Sequence, residues 1–132
     1  MLAWLLGESA GVAVRYVLER APAVLASELT VAECARSFVR AAAAGRISES
    51  EASARRAHLT RTSATWALLA IDAEVLARAG QPFPEEPIRT LDAIHLATAL
   101  QARTALPNLA ILSLDRRIRT CAEQLGFHVL PS

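Results

Sequence analysis

The chain has 132 residues, which leaves room for one domain at the usual ~100 to 200 residues per domain, and we predict a single domain over residues 1–132. Apolar residues make up 53% of the chain and charged residues 20%, a balance that supports a buried core and excludes a disordered segment. The 14 basic and 13 acidic residues leave a net charge of +1, which excludes polyanion binding through overall charge. Any contact with a nucleic acid must therefore be local.

Cysteine content and hydropathy indicate the compartment. Cys34 and Cys121 are too few and too isolated for a disulfide framework or a thiolate zinc site, which favours a reducing cytoplasm. The N-terminal run MLAWLLGE has no basic residue, and the longest uncharged runs, such as 62–71, are shorter than the ~18 to 20 residues that span a bilayer. We therefore expect a cytoplasmic protein with no signal peptide and no membrane segment.

Apolar residues recur at helical spacing in two stretches of the first half of the chain. They are Val12, Tyr16 and Val17, and then Val31, Ala35, Phe38, Val39 and Ala42. Gly45 is expected to end the second of these helices. After it, Ser48 and Glu51 have the spacing of a capping box and predict a polar helix that runs to about Thr62. These last two helices should form a hairpin.

Four short apolar runs are typical of buried parallel strands, although periodicity alone does not separate them from buried helix. They cover residues 23–26, 65–71, 109–114 and 127–130. Helices are expected over about 72–79 and 91–103, with an irregular, proline-containing connection between them. This alternation predicts a three-layer α/β domain with a central parallel sheet flanked by helices.

Three acidic residues, Glu33, Asp92 and Asp115, are each expected at the start of a helix that follows a strand or a loop. Because the carboxyl ends of parallel strands share one edge of the sheet, these carboxylates should converge on one crevice. Three carboxylates at one edge repel one another, and a divalent cation offsets that repulsion best. Oxygen ligands favour Mg²⁺ or Mn²⁺.

Each of these acids also has a structural interpretation, since acids in a first turn are stabilised by capping and by the helix dipole. Glu33 can complete a capping box with Thr30 or pair with Arg36. Asp92 can simply follow a cap at Thr90, and Asp115 can itself be the cap of its helix.

Nearby basic residues carry the same two interpretations. His95 lies three residues after Asp92 on the same helix face, where it can orient a carboxylate or a metal-bound water, or pack as a structural histidine. Arg116, Arg117 and Arg119 can contact phosphates beside the site or form a solvated helix face.

Three segments together resemble PIN-domain ribonucleases, in particular the VapC toxins of toxin–antitoxin pairs. They are LASELTVAECAR at 25–36, TLDAIHLATAL at 90–100 and ILSLDRRIRTCAEQLGF at 111–127. The resemblance implies a metal-dependent endoribonuclease in which Glu33, Asp92 and Asp115 bind Mg²⁺ or Mn²⁺ to hydrolyse RNA phosphodiester bonds. Ser113 matches the small hydroxyl residue that usually precedes the last acid by two. The resemblance also implies a homodimer that a small VapB-like antitoxin holds inactive.

The N-terminus departs from the family pattern. PIN domains open with a hydrophobic strand that ends in Asp, in a phrase like LDTSALL, whereas Met1 falls inside the helix that follows. We therefore expect the first strand to be absent, which should leave a gap in the core and unpaired backbone groups on its two neighbours. Either the natural start lies upstream, or the chain has dispensed with the strand. The alternative function is that of a catalytically inactive PIN-like module that binds antitoxin or RNA without cleavage.

Overall fold

The computed structural model describes residues 11–132, which form six helices and four short strands in mixed α/β order. The helices are α1 (Gly11–Arg20), α2 (Glu28–Ala43), α3 (Glu49–Ser63), α4 (Ala73–Ala79), α5 (Thr90–Arg103) and α6 (Arg116–Gln124). The strands are β1 (Leu25–Ser27), β2 (Ala67–Leu69), β3 (Ala110–Leu112) and β4 (His128–Leu130). The predicted α/β class is confirmed, and the prediction for MLAWLLGE lies outside the described residues.

Helices α2 and α3 form the predicted hairpin. Gly45 follows α2 with a φ of 72°, a left-handed conformation that glycine adopts without strain. The Ser48 hydroxyl accepts a hydrogen bond from the Glu51 N–H at 3.0 Å, and the Glu51 carboxylate accepts one from the Ser48 N–H at 2.7 Å. The predicted capping box is therefore confirmed. The apolar core of this hairpin consists of Cys34, Phe38, Ala52, Leu59 and Trp66.

A second apolar core surrounds α5. The buried apolar side chains of this helix are Ala93, Ile94, Leu96 and Ala97. They pack with residues of α4, α6 and β4, which include Val75, Cys121, Ala122 and Val129.

The strands form two parallel pairs and not one continuous sheet. In the first pair, Leu25–Ser27 runs in register with Ala67–Leu69, and in the second, Ala110–Leu112 runs in register with His128–Leu130. Among the described residues no strand joins the two pairs. The predicted central sheet is therefore interrupted.

A cavity of about 760 Å³ is lined by both β1 and β3. The backbone groups of Leu25 and Ser27 on β1, and of Ala110 and Leu112 on β3, point away from their paired strands, because successive residues of a strand alternate sides. Within residues 11–132 these groups have no partner strand. That the first strand of the family pattern is absent stays a prediction.

Cys34 and Cys121 are both free and buried. Burial raises the pKa of the Cys34 thiol and of the Cys121 thiol, which disfavours the reactive thiolate at either position. No helix within the described part of the chain has the length and apolar character to cross a membrane.

Candidate active site

Asp92 lies in the first turn of α5. The residue that caps this helix is Arg89, with extended backbone angles (φ −71°, ψ 151°), so the interpretation that Thr90 is the cap is wrong. The Arg89 side chain turns back toward the helix, where its Nε donates to Asp92 Oδ2 at 3.0 Å. Asp92 is thus a first-turn acid, as predicted, with one quarter of its side chain exposed.

Asp115 is the N-cap of α6, as its structural interpretation predicts. Its Oδ1 accepts hydrogen bonds from the N–H groups of Arg117 at 2.9 Å and Ile118 at 3.1 Å. Its own N–H donates to the Ser113 hydroxyl at 3.2 Å, which fixes the turn between β3 and α6. Capping therefore orients the Asp115 carboxylate and leaves Oδ2 for another partner.

A single guanidinium joins these two aspartates. Arg89 Nη2 lies 3.8 Å from Asp115 Oδ2, while Nε of the same side chain is bonded to Asp92. The three residues line a cavity of about 430 Å³ together with Arg116 and Arg117. Because Arg89 is 78% exposed, these ion pairs stabilise the fold little. The ion pairs show, however, that two carboxylates at the starts of different helices converge on the Arg89 guanidinium.

Glu33 does not lie where the sequence predicts. Helix α2 begins at Glu28 after an N-cap at Ser27, which places Glu33 in the second turn. The capping box with Thr30 is therefore wrong, because the strand ends at Ser27 and the helix starts one turn earlier. Within residues 11–132, Glu33 makes no ion pair with Arg36, and its carboxylate is bonded instead to His95 Nε2.

His95 lies between Glu33 and a residue that sequence reasoning missed. Its Nδ1 is 2.9 Å from the hydroxyl oxygen of Ser27, which is 4% exposed. These hydrogen bonds are compatible with both alternatives for His95, so its role beside a carboxylate stays a prediction. The sequence signal for Ser27 is a hydroxyl residue at a strand-to-helix junction, which by itself predicts only a cap.

The three predicted acids are only partly gathered. Asp92 and Asp115 are both paired with the Arg89 guanidinium. Glu33 is instead hydrogen-bonded to His95, which lies one turn after Asp92 on α5. Within the described residues, no three histidine, cysteine or acidic side chains are close enough to hold a metal ion. The carboxylate oxygens of Asp92 and Asp115 are the type of ligand that Mg²⁺ and Mn²⁺ prefer. That Glu33 completes the ligand set stays a prediction.

The arginines of α6 have different roles. Arg119 donates to three backbone carbonyls at the ends of β3 and β4. They belong to Ser113 at 2.8 Å, Leu130 at 3.0 Å and Pro131 at 2.8 Å. Arg117 donates to the Pro87 carbonyl at 2.8 Å, whereas the Arg116 guanidinium has no hydrogen bond or ion pair within the described part of the chain. Arg119 therefore holds strand ends together, and phosphate contact by Arg116 stays a prediction.

Comparison with known families identifies the family of this chain. The model of the PIN domain family matches residues 1–124. The chain belongs to the PIN domain family. This confirms the resemblance carried by the segments at 25–36, 90–100 and 111–127.

Two relatives of this PIN domain carry VapC names. Ribonuclease VapC46 of Mycobacterium tuberculosis is 39% identical over 116 residues, which cover 88% of this chain and 78% of VapC46. Ribonuclease VapC35, from two strains of Mycobacterium tuberculosis, is 40% identical over 60 residues, or 46% of this chain. That alignment spans less than half of VapC35, 44% of its length. This PIN domain is therefore similar to VapC-type ribonucleases.

Proposed function

We propose that this PIN domain is a divalent-metal-dependent endoribonuclease that hydrolyses RNA phosphodiester bonds. The observation that carries the proposal is the pair Asp92 and Asp115. These residues lie at the starts of different helices, and both are paired with the Arg89 guanidinium in a cavity lined by arginines. The names of the VapC46 and VapC35 relatives, both called ribonucleases, support the same reaction.

In this proposal, Asp92 and Asp115 hold Mg²⁺ or Mn²⁺, with Glu33 as the third acid. When bound, the ion activates water as the nucleophile and stabilises the negative charge that develops on the phosphate. Capping fixes the Asp115 carboxylate before any ion binds, because Oδ1 already accepts two backbone N–H groups. Such preorganisation lowers the cost of assembling the site.

The cavity beside the aspartates suits a phosphate group. Arg116 and Arg117 line it together with Arg89, so positive charge adjoins the acidic pair. Arg116 is exposed and has no hydrogen bond or ion pair within the described residues, which leaves its guanidinium available for a phosphate oxygen. Such contacts position an RNA backbone without reading its sequence.

We also propose that the protein acts in the cytoplasm as a homodimer under the control of a small VapB-like antitoxin. The similarity to VapC46 supports the antitoxin. Helix α1 offers a surface for a protein contact, because Val12 is 76% exposed and Tyr16, one turn later, is 58% exposed. Light scattering of the purified chain should give twice the mass of one chain, and a monomeric mass would contradict the dimer.

An RNA-cleavage assay tests the proposed reaction. The purified 132-residue chain should cut a labelled RNA with Mg²⁺ or Mn²⁺ and lose activity in EDTA. Because a metal ligand contributes several kcal/mol to the transition state, Asp92→Asn should lower the rate on the order of 100-fold or more. The matched control is Asp72→Asn, since Asp72 caps α4 and lines neither cavity.

The assay separates three outcomes. Cleavage that persists in EDTA would overturn the metal dependence. Equal cleavage by wild type and Asp92→Asn would overturn the site. RNA binding without any cleavage would favour the catalytically inactive binding module instead.

A further inference from the structure

We propose that Ser27 and His95 are positioning residues that hold the Glu33 carboxylate ready for a divalent cation. The three side chains form one hydrogen-bonded series, here called the Ser27–His95–Glu33 relay. The inference rests on the proposed function, because it assigns Glu33 to the metal site through two residues that do not themselves bind the ion.

The relay connects three separate elements of the fold. Ser27 ends β1, Glu33 lies in the second turn of α2, and His95 lies in the second turn of α5. The imidazole spans the space between the other two, with Nδ1 2.9 Å from the Ser27 hydroxyl and Nε2 bonded to Glu33 Oε1. A side chain held at both ring nitrogens cannot rotate without breaking one of these bonds.

The hydrogen bonds of the relay fix the direction in which each proton points. An ionised carboxylate only accepts, so His95 Nε2 must donate to Glu33. In the neutral imidazole the other nitrogen then accepts, so the Ser27 hydroxyl donates to Nδ1. Ser27 thereby selects the tautomer that can hold Glu33.

The position of Ser27 supports this role independently. It stands at the N-cap of α2 with extended backbone angles (φ −69°, ψ 155°), yet its side chain makes no cap hydrogen bond. In the same chain Ser48 occupies the equivalent position on α3 and does cap it, at 3.0 Å. Ser27 therefore forgoes a stabilising cap in favour of His95, and such departures from local preference concentrate at functional sites.

The relay leaves Glu33 able to bind an ion. Its side chain is 37% exposed, and within the described residues its carboxylate has one hydrogen-bonded oxygen, Oε1. Oε2 is therefore open to a cation. His95, the residue bonded to Glu33, also lines the larger cavity together with Asp92 and Asp115. Hydrogen bonds from outside the ligand set orient carboxylate ligands in this way.

Calorimetric titration of the full chain with Mn²⁺ tests the relay through two histidine variants. In His95→Gln the amide nitrogen lies where Nε2 was, so the donor to Glu33 is kept. In His95→Asn the amide lies where Nδ1 was, so that donor is lost. We expect His95→Asn and Ser27→Ala to weaken Mn²⁺ binding about 10- to 100-fold, and His95→Gln to retain most of the affinity.

Thr98→Ala is the matched control for a lost hydroxyl. Thr98 is 4% exposed, as Ser27 is, and it lies on the same helix as His95. Its hydroxyl donates to the Ile94 carbonyl at 2.8 Å and does not contact the relay. Its Mn²⁺ affinity should equal that of the wild type, and thermal unfolding of every variant shows whether a loss follows from unfolding.

Nitrogen NMR of the His95 ring, recorded without metal, gives a second reading. The wild type should show the tautomer protonated at Nε2, and Ser27→Ala should show a mixture of tautomers. A wild-type ring protonated at Nδ1 would overturn the relay, as would unchanged Mn²⁺ affinity in Ser27→Ala and His95→Asn when Asp92→Asn loses affinity. If the wild type binds no Mn²⁺, the proposed function fails, and the NMR spectrum still decides whether the relay exists.

Discussion

Asp92 and Asp115 lie at the starts of different helices and share one guanidinium, with Arg89 Nε 3.0 Å from Asp92 Oδ2 and Arg89 Nη2 3.8 Å from Asp115 Oδ2. The positive charge offsets the repulsion between two neighbouring carboxylates. A divalent ion bound by the same two oxygens has to compete with Arg89. Substitution of Arg89 therefore tests whether the two aspartates bind a divalent ion.

Removal of Arg89 should strengthen metal binding. Because exposed ion pairs contribute ~0.2 to 1 kcal/mol, Arg89→Ala should bind Mn²⁺ up to about fivefold more tightly, as measured by calorimetry. Arg116→Ala is the control, since Arg116 lines the same cavity without an ion pair among the described residues. Weaker binding by Arg89→Ala would show that Arg89 supports the site and does not compete with the ion.

Two substitutions at Asp115 separate capping from charge. Asp115→Ala removes the acceptor for two backbone N–H groups and should lower the free energy of unfolding by about 1 kcal/mol. Asp115→Asn keeps an acceptor oxygen and should lower it far less. Both should weaken Mn²⁺ binding, because both remove the negative charge. Urea unfolding and calorimetry check the two effects, and equal destabilisation by both variants would contradict the capping role.

Arg119 should matter for stability and not for RNA. Its guanidinium donates to three backbone carbonyls, and hydrogen bonds of a charged group contribute ~1.5 to 3 kcal/mol, so Arg119→Ala should lower the free energy of unfolding by about 2 kcal/mol. Arg119→Lys should not restore it, because a compact ammonium lacks the planar fork. Arg116→Ala, on the exposed face, should change stability by less than about 0.5 kcal/mol.

The capping box of α3 should make stability depend on pH. The hydrogen bond from the Ser48 backbone N–H to the Glu51 carboxylate holds the pKa of Glu51 below its ordinary value, and a hydrogen bond with the Ser48 side chain lowers this pKa further. A lowered folded-state pKa stabilises the fold above the unfolded-state pKa, and this contribution is lost as pH falls through the folded-state value. The stability difference between wild type and Glu51→Gln should therefore be larger at neutral pH than near pH 3.

Glu123→Gln provides the comparison for this pH effect. Glu123 is exposed on α6 and has no hydrogen bond to its carboxylate within residues 11–132. Its substitution should give no comparable change with pH. A pH dependence equal to that of Glu51→Gln would mean that overall charge, and not the capping box, is responsible.

Features set by neighbouring residues could be predicted from the sequence. Ser48 and Glu51 lie within one turn, so their capping box follows from spacing alone. Asp115 follows an apolar strand and precedes a helix, which places it correctly as a cap. The short apolar runs located all four strands of the described residues, although each strand has only three residues.

Features set by distant residues could not be predicted. Ser27 and Thr30 are both residue types that cap helices, and a cap at Thr30 places Glu33 one turn earlier in α2 than the observed cap at Ser27 does. The bond between Glu33 and His95 joins residues 62 positions apart. Arg89 did leave a local signal, because it lies three residues before Asp92, the spacing of a helical ion pair.

The most direct test of the central claim, that Glu33, Asp92 and Asp115 hold a catalytic divalent ion, is anomalous X-ray scattering from crystals of this chain grown with Mn²⁺. The account predicts a manganese peak between the carboxylates of Asp92 and Asp115, with Glu33 among the ligands and Arg89 displaced. The absence of manganese at these carboxylates, or its binding elsewhere on the chain, would contradict it.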